Sequence, residues 1–211
     1  MTAAASLAKP VSPTSQPPVA NGIVPAASPN GKAKRYVSWR EFVRRYLSRE
    51  DGFKYEWNNG EIEKTPRTMN FNQLFVSKNL NRFLDELKKS RPELGDFYSE
   101  TDIFIFENIH KRPDITYFTD EQVEIGKNGG QVIPSFVIEV ISPSDNINRV
   151  VRKVNEYFRA GVRMVWHIFP DDREVHVYET PKRINICRDE DVCSAEPVIP
   201  GFTLEAREIF K

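Results

Sequence analysis

One carboxylate inside an apolar strand is the feature that most constrains how this chain folds. Residues 136–141 read FVIEVI, where Glu139 interrupts a run of β-branched and aromatic residues. Continuous apolar runs of this kind are typical of strands that are covered on both faces. A buried carboxylate is costly to desolvate unless it is paired, protonated or bound to a metal. The sequence therefore predicts that Glu139 lies inside the fold beside a partner.

Length and composition favour a soluble cytoplasmic protein with one substantial core. The chain has 211 residues, of which 39% are hydrophobic, and its 30 basic and 30 acidic residues cancel. Net charge therefore gives no overall attraction for nucleic acid. Cys187 and Cys193 lack CxxC spacing, so we expect no disulfide framework and a reducing compartment. The chain contains no stretch of about 18 apolar residues, so we expect no membrane span.

The N-terminal segment differs in composition from the rest of the chain. Residues 1–35 are rich in Ala, Pro and Ser, and the first acidic residue of the chain is Glu41. Such a segment buries too little apolar surface to offset its ordering entropy, so we expect a disordered tail. Because it lacks acidic residues, the segment also resembles a transit peptide, although its prolines oppose the amphipathic helix of such peptides. Residues 36–211 are predicted to form a single domain.

Local patterns predict the order helix, hairpin, helix, three strands, helix, two strands. Ser38 followed by Glu41 is typical of a capping box that begins a helix, and Asn59-Gly60 predicts a tight hairpin turn. Helical spacing predicts a second helix with one buried face. The apolar residues of this face are Phe71, Leu74, Phe75, Leu80, Phe83, Leu84 and Leu87.

The strands that follow indicate an α/β fold with a mixed sheet flanked by helices. A helix ending at Gly161 separates the strand FVIEVI from the strand MVWHIF, which favours a parallel crossover connection. The consecutive strands before it, DIFIF and DITYF, favour antiparallel pairing. EVHVYE predicts a further strand after a turn at residues 170–173, and the C-terminus predicts a closing strand and turn.

Acidic residues near these strands suggest a site for a divalent cation. Asp114 begins one strand and Glu139 lies within another, so the two converge if the strands are neighbours. Mg²⁺ usually takes one or two protein carboxylates and completes its shell with water and substrate phosphate. Asp114 has a second interpretation, as a strand-start residue or a partner of Arg112. Asp145 is expected to be a turn residue, and Asp102 is either a strand-end charge or a ligand of a second metal.

Other functional classes have little support in the sequence. His167 and His176 flank a turn and are predicted to face each other, but two histidines without a third ligand make a poor zinc site. The chain contains no GxGxxG, GxxxxGK[ST] or GxSxG motif. Dinucleotide, P-loop nucleotide and serine-hydrolase sites therefore lack their signatures.

Two combined patterns in this chain carry a family resemblance. RPDITYF with FVIEVI resembles the PD-(D/E)XK nuclease fold. With YEWNNGEIE upstream, the segment from Phe136 to Glu179 and the C-terminal IPGFTLEAREIF, the chain resembles the Uma family, described as putative restriction endonucleases. The resemblance covers nearly everything from about residue 38 onward and implies a restriction-endonuclease-like core.

The resemblance also implies roles for particular residues. It makes Asp114 and Glu139 metal ligands. Ile141 stands where the motif usually has its lysine, and the family pattern moves that lysine to the following helix, at Lys153. It further implies Tyr157 as a hydrogen-bonding partner of the site and Glu56 as an additional acidic group.

The function implied is that of a Mg²⁺-dependent endodeoxyribonuclease of restriction type, with Mn²⁺ as an alternative cofactor. DNA is then the expected partner, with phosphate contacts from RVVRK and ELKKSRP, and a homodimer matches the two-fold symmetry of a duplex. No partner methyltransferase is identified by the sequence. The alternative is a catalytically inactive nuclease-fold protein that acts as an interaction or regulatory module. The presence of Asp114, Glu139 and Lys153 together favours catalysis.

Overall fold

The computed structural model describes residues 35–67 and 71–211, apart from the side chain of Asn72. The predicted disordered tail, apart from Arg35, lies outside these residues. The helices are α1 Trp39–Phe42, which continues as a π-helix Val43–Leu47, α2 Phe71–Lys88, α3 Asp120–Lys127, α4 Ile147–Ala160 and α5 Ala206–Ile209. Within the described ranges, no helix combines the length and the apolar character needed to cross a membrane.

The strands form three sheets. They are β1 Phe53–Asn58, β2 Glu61–Pro66, β3 Asp96–Ser99, β4 Ile103–Phe106, β5 Ile109–Lys111, β6 Ile115–Phe118, β7 Phe136–Val140, β8 Met164–Phe169, β9 Glu174–Thr180, β10 Arg183–Arg188, β11 Val192–Ser194 and β12 Thr203–Glu205. A six-stranded sheet has the order β10-β9-β8-β7-β6-β3, a four-stranded sheet has the order β2-β1-β5-β4, and β11 pairs with β12.

The six-stranded sheet is mixed, as predicted. β7 and β8 pair in parallel across the connection made by α4. The other pairs in this sheet, including β6 with β7, are antiparallel. The four-stranded sheet is antiparallel throughout. The predicted antiparallel pairing of DIFIF with DITYF is wrong, because β4 pairs with the short strand β5 in the four-stranded sheet, whereas β6 pairs with β3 and β7 in the six-stranded sheet.

The two faces of β7 meet different cores, which explains its continuous apolar sequence. Phe136 and Ile138 belong to a cluster that includes the buried side of α2 and the C-terminal segment. Val137 belongs to a second cluster that includes Val154 and Tyr157 of α4. Because side chains alternate between the faces of a strand, Glu139 lies on the α4 side with Val137.

The first turns of α2 differ from the sequence prediction, which placed Phe71, Leu74 and Phe75 on the buried face. Val76, Leu80 and Leu84 are buried, but Phe71, Leu74 and Phe75 are 78%, 48% and 49% exposed. The helix has 18 residues, and it joins the core from Val76 onward, so its first turns extend beyond that core.

Short elements account for the other differences from the predicted order. β3, β5, α3, β10 and β11 were not predicted, and α5 follows β12 where only a turn was expected. The Asn59-Gly60 hairpin is confirmed, with φ values of 46° and 91° that suit these residue types. Ser38 caps α1 through its side-chain oxygen, which accepts a hydrogen bond from the backbone N–H of Glu41.

Candidate active site

Asp114 and Glu139 lie side by side at the floor of a cleft. Ile115 of β6 pairs with Ile138 of β7, and extending this antiparallel register by one residue sets Asp114 opposite Glu139. The Asp114 carboxylate is fixed to the neighbouring strand, because its Oδ2 accepts a hydrogen bond of 2.8 Å from the backbone N–H of Val140. Both carboxylates line a cleft of about 170 Å³. The strands that carry Asp114 and Glu139 are neighbours, as the predicted convergence of these two residues requires.

Helix α4 supplies the partners that the buried Glu139 requires. Asn146 caps the start of α4 and Gly161, with φ 105°, ends it. Lys153 and Tyr157 lie one turn apart on the face toward the sheet. The Oε1 of Glu139 accepts hydrogen bonds from the Lys153 ammonium at 2.9 Å and from the Tyr157 hydroxyl at 2.6 Å.

Glu56 reaches the same site from the other sheet. Its Oε1 lies 3.0 Å from the Lys153 Nζ, so Lys153 is shared between Glu56 and Glu139. The same oxygen of Glu56 accepts a hydrogen bond from the backbone N–H of Arg112. The structure thus brings together all five predicted site residues: Asp114, Glu139, Lys153, Tyr157 and Glu56.

Lys54 is a further residue of the site that sequence reasoning missed. It lies on β1, its side chain is largely buried, and its Nζ is 2.7 Å from the Oδ1 of Asp114. Lys54 is two residues before Glu56, so both side chains lie on the same face of the strand. This alternation in the segment KYE is the signal that points to Lys54. We call Asp114, Glu139, Lys54 and Lys153 the open cluster, because all four line the cleft.

The charges of this site reinforce one another. Burial lowers the pKa of Lys153, but the Glu139 and Glu56 carboxylates outweigh this effect and raise it. Burial also opposes the charged form of Lys54, and Asp114 and Glu139 raise its pKa in the same way. For Glu56, burial raises the pKa, but three lysines outweigh it and hold the pKa well below its usual range. Both lysines are therefore ammonium ions at neutral pH.

Tyr157 remains a hydrogen-bond donor for a related reason. Its side chain is fully buried, and burial together with the negative charge of Glu139 raises the pKa of the phenol well above its ordinary value. The hydroxyl therefore stays protonated and donates a hydrogen bond to Glu139.

His167 lies beside Glu139 on the next strand. The two residues are paired in the parallel register of β7 and β8. His167 is 1% exposed, and neither ring nitrogen has a hydrogen-bond partner among the described residues. Burial lowers its pKa to about 4 although the Glu139 charge acts in the opposite direction. The imidazole is therefore neutral at pH 7.

The predicted pairing of the histidines is confirmed, but a zinc site is not supported. His167 pairs with His176 across β8 and β9, while the Nε2 of His176 contacts Glu174. In residues 35–67 and 71–211, no three His, Cys, Asp or Glu side chains form a group able to hold a metal ion.

The pair Asp114 and Glu139 still fits a hard divalent cation. Such an ion needs only one or two protein carboxylates, because water and substrate phosphate supply its other oxygens. The Oε2 of Glu139 accepts no hydrogen bond from the described part of the chain, since Lys153 and Tyr157 both bind Oε1. The donor chemistry therefore suits Mg²⁺ or Mn²⁺ better than a metal that prefers sulfur or nitrogen.

Two other acidic residues do not join the open cluster. The Oδ2 of Asp145 accepts hydrogen bonds from the backbone N–H and the hydroxyl of Ser142, so Asp145 is the turn residue that was predicted. Asp102 pairs with Arg112 and His110 and is not among the residues that line the cleft. Arg112 therefore pairs with Asp102, while Asp114 pairs with Lys54.

A second group of buried charges lies behind Glu56. The Lys111 side chain is fully buried, and its Nζ is 3.0 Å from Glu156, 3.5 Å from Glu63 and 3.9 Å from Glu56. Arg152 contacts Glu63 and Glu156 from the surface. We call Lys111, Glu63, Glu156 and Arg152 the sealed cluster, because none of these residues lines the cleft.

The two predicted basic segments are placed differently. Arg149 of RVVRK lines the cleft, and its Nη1 donates a hydrogen bond of 3.2 Å to the hydroxyl of Thr65. In ELKKSRP, Lys88 pairs with Asp96 and Lys89 with Glu86, and neither lysine lines the cleft. Among the predicted phosphate-binding residues, Arg149 is thus well placed beside the open cluster.

Comparisons with known proteins identify a family and a fold. The family model named Uma2, described as "Putative restriction endonuclease", matches residues 39–207. A crystal structure described as a putative nuclease belonging to DUF820, from Anabaena variabilis ATCC 29413, superposes with a TM-score of 0.68 at 19% identity. The match covers 82% of this chain and 97% of that chain. No curated protein matches this chain. The predicted restriction-endonuclease-like fold is confirmed.

Proposed function

The chain belongs to the Uma2 family, and from that premise we propose that it is a metal-dependent endonuclease that hydrolyses phosphodiester bonds of DNA. The observation that carries this proposal is the placement of Asp114 and Glu139. Two carboxylates from neighbouring strands lie at the floor of a cleft, and two buried ammonium groups lie beside them. Asp114 and Glu139 would hold Mg²⁺, with Mn²⁺ as the alternative. When bound, the ion supplies an activated water and neutralises charge at the phosphate.

The residues around Glu139 keep its carboxylate in one orientation. Tyr157 and Lys153 both donate to Oε1, which leaves Oε2 directed to other partners. The raised pKa of Lys153 keeps a proton on its Nζ, so Lys153 acts as a fixed positive charge and not as a base. In this role it stabilises the negative charge that develops on phosphate oxygens and orients the attacking water. Glu56 holds Lys153 in place from the opposite side.

Substrate binding is proposed to depend on local charge. The formal net charge of the chain is zero, so steering by the whole molecule is weak. Arg149 at the cleft supplies a phosphate contact. We further propose a homodimer, because two sites related by a two-fold axis match the symmetry of a duplex. We also propose a cytoplasmic location, because two cysteines in a chain of 211 residues make no disulfide framework.

Plasmid cleavage tests this proposal. The purified full-length protein is incubated with supercoiled DNA in Mg²⁺, Mn²⁺ or EDTA, and nicked and linear products are separated on a gel. We expect cleavage with either ion and none in EDTA. Asp114→Asn and Glu139→Gln each remove a ligand charge and are expected to slow cleavage by about a thousandfold. Lys153→Met is expected to slow it by about a hundredfold.

The control is an acidic residue with no role in the site. Glu86 is exposed and pairs with Lys89, so Glu86→Gln is expected to cleave at the wild-type rate. Thermal unfolding of every variant shows whether it is folded. Equal cleavage by Glu139→Gln and the wild type would contradict the proposal and assign the activity to a contaminant.

A further inference from the structure

We propose that Lys54 exchanges between Asp114 and the substrate phosphate, and thereby couples cation binding to substrate binding. This inference rests on the proposed function and assigns a role to a residue outside the predicted site. Lys54 would act as a substrate-binding residue in the cleft. The Nζ of Lys54 is 2.7 Å from the Oδ1 of Asp114, one of the two proposed cation ligands.

The two lysines of the open cluster differ in their partners. Lys153 lies within ion-pair distance of two carboxylates, Glu139 at 2.9 Å and Glu56 at 3.0 Å. In the described part of the chain, Lys54 has only Asp114 at such a distance. A cation that binds both Asp114 and Glu139 therefore leaves Lys153 with Glu56, whereas it leaves Lys54 without a carboxylate partner.

Loss of its carboxylate partner would be unfavourable in free energy for Lys54, because its charge is buried. The residue is 8% exposed, and a buried charge that loses its partner is strongly destabilised. Lys54 lines the same cleft as the two proposed ligands. The anion that the proposed reaction brings into this cleft is the phosphate of DNA.

Lysine chemistry suits such an exchange. Its ammonium is a compact charge on a flexible stem with rotatable donors, so it can change acceptors by rotation about side-chain bonds. Without DNA, the Lys54 ammonium opposes a cation at Asp114. With DNA, the phosphate accepts the ammonium and this opposition is relieved. By thermodynamic linkage, the cation then tightens DNA binding by the same factor by which DNA tightens cation binding.

Removing the Lys54 charge has two opposite effects under this proposal. In calorimetric titrations without DNA, Lys54→Met is expected to bind Mn²⁺ about tenfold more tightly than the wild type, within the usual range of coupling. In single-turnover cleavage at saturating Mn²⁺, the same variant is expected to be about a hundredfold slower. A purely structural role would weaken both properties. Lys54→Arg keeps the charge and is expected to retain Mn²⁺ binding near the wild-type level.

A control is available in an ion pair away from the cleft. The Nζ of Lys127 on α3 is 3.2 Å from the Oε1 of Glu124, and Lys127 does not line the cleft. Lys127→Met is expected to leave both Mn²⁺ affinity and cleavage unchanged. Tighter Mn²⁺ binding by Lys127→Met would show that loss of any positive charge has this effect, and it would overturn the inference.

A second measurement does not depend on the folding of a variant. Ca²⁺ binding to the wild type is titrated with and without a short DNA duplex that a gel shows to remain intact in Ca²⁺. The inference predicts that the duplex tightens Ca²⁺ binding by about tenfold or more. If Lys54→Met folds, the same titration is expected to show a smaller gain. An unchanged Ca²⁺ affinity of the wild type would overturn the inference.

The outcomes separate this inference from the proposed function. A wild-type protein that neither binds Mn²⁺ nor cleaves DNA would refute the proposed function, and the inference with it. A wild type that binds Mn²⁺ and cleaves DNA, together with a folded Lys54→Met variant that binds Mn²⁺ equally or more weakly, would overturn the inference alone.

Discussion

The open cluster and the sealed cluster are built from the same kinds of residue but differ in access. Both join lysine and carboxylate side chains that are largely buried, and Glu56 lies between them. Glu139 of the open cluster is 4% exposed and Glu156 of the sealed cluster is 7% exposed. Only the first lines the cleft. Burial of a charge alone therefore does not distinguish the candidate site from the sealed cluster, whereas position beside the cleft does.

The partners of the lysines also differ between the clusters. Lys111 is fully buried among carboxylates and does not line the cleft, so we expect its ion pairs not to exchange with a ligand. Lys54 and Lys153 lie where a cation can compete for a carboxylate partner and a phosphate can take the place of that partner. The comparison predicts that the sealed cluster contributes stability and that the open cluster contributes chemistry.

The largest effect on stability is expected from Lys111→Met. This change leaves Glu63 and Glu156 buried without their shared ammonium, which typically costs about 3–5 kcal/mol in the free energy of unfolding. Urea denaturation followed by circular dichroism measures the loss. The double variant Lys111→Met with Glu156→Gln removes one of the uncompensated charges and is expected to recover part of it. A loss below about 1 kcal/mol would show that the sealed cluster behaves like a surface network.

The matched change in the open cluster is Lys153→Met, which is expected to cost less stability. Glu139 keeps the hydroxyl of Tyr157, and Glu56 keeps the backbone N–H of Arg112. If Lys153→Met destabilised the protein as strongly as Lys111→Met, the distinction between the clusters would fail.

The pH dependence of stability is expected to report on the buried His167, which lies beside Glu139 of the open cluster. Its pKa is about 4 in the folded protein against an ordinary value of 6.5, so the unfolded chain binds the proton more tightly. Stability is therefore fully present above pH 6.5 and is lost as the pH falls toward 4, by about 3 kcal/mol in total. His167→Leu removes this loss. Urea denaturation at several pH values should give a flatter curve for the variant, and parallel curves would contradict the assignment.

Tyr157 tests whether the partners of Glu139 matter for chemistry. Tyr157→Phe removes a hydrogen bond to a charged group, which typically contributes about 1.5–3 kcal/mol, and we expect cleavage to slow by about tenfold. Tyr117→Phe is the control, because its buried hydroxyl accepts a hydrogen bond from the backbone N–H of Gly95 outside the cleft. The control is expected to lose stability and keep its cleavage rate. Equal slowing in both variants would indicate a general effect of destabilisation.

The smallest effect is expected from Arg152→Gln. Arg152 pairs with Glu63 and Glu156, but its side chain is 50% exposed, so solvent screens its charge. Exposed ion pairs typically contribute about 1 kcal/mol or less to stability. The shift in urea midpoint measures this contribution. A loss as large as that of Lys111→Met would show that the sealed cluster depends on its surface cation.

The sequence predicted the centre of the site better than its surroundings. Glu139 in FVIEVI required a partner on physical grounds, and the strand order brought Asp114 to it. Lys153 was placed only by the family resemblance, because a lysine on a helix has the same pattern when it is solvated. Lys54 had a usable signal in its alternation with Glu56, but nothing in the local sequence indicates that β1 packs against Asp114.

Long-range packing explains why the sequence did not predict the sealed cluster or the exposed start of α2. Lys111 lies on a three-residue strand, which is too short for a hydrophobic period to appear. Its enclosure depends on Glu63 and Glu156, which are remote in sequence. The apolar spacing of α2 correctly predicted a helix, yet spacing does not reveal which turns of a helix the core covers, and Phe71 and Phe75 are exposed.

The most direct test of the central claim is a calorimetric titration of Mn²⁺ into three proteins. They are the wild type, Glu139→Gln and Glu156→Gln, each shown to be folded by circular dichroism. The last two lose one buried carboxylate charge each, from the open and the sealed cluster respectively. The account predicts that the wild type and Glu156→Gln bind Mn²⁺ and that Glu139→Gln does not. Equal binding by Glu139→Gln and the wild type, or no binding by the wild type, would contradict it.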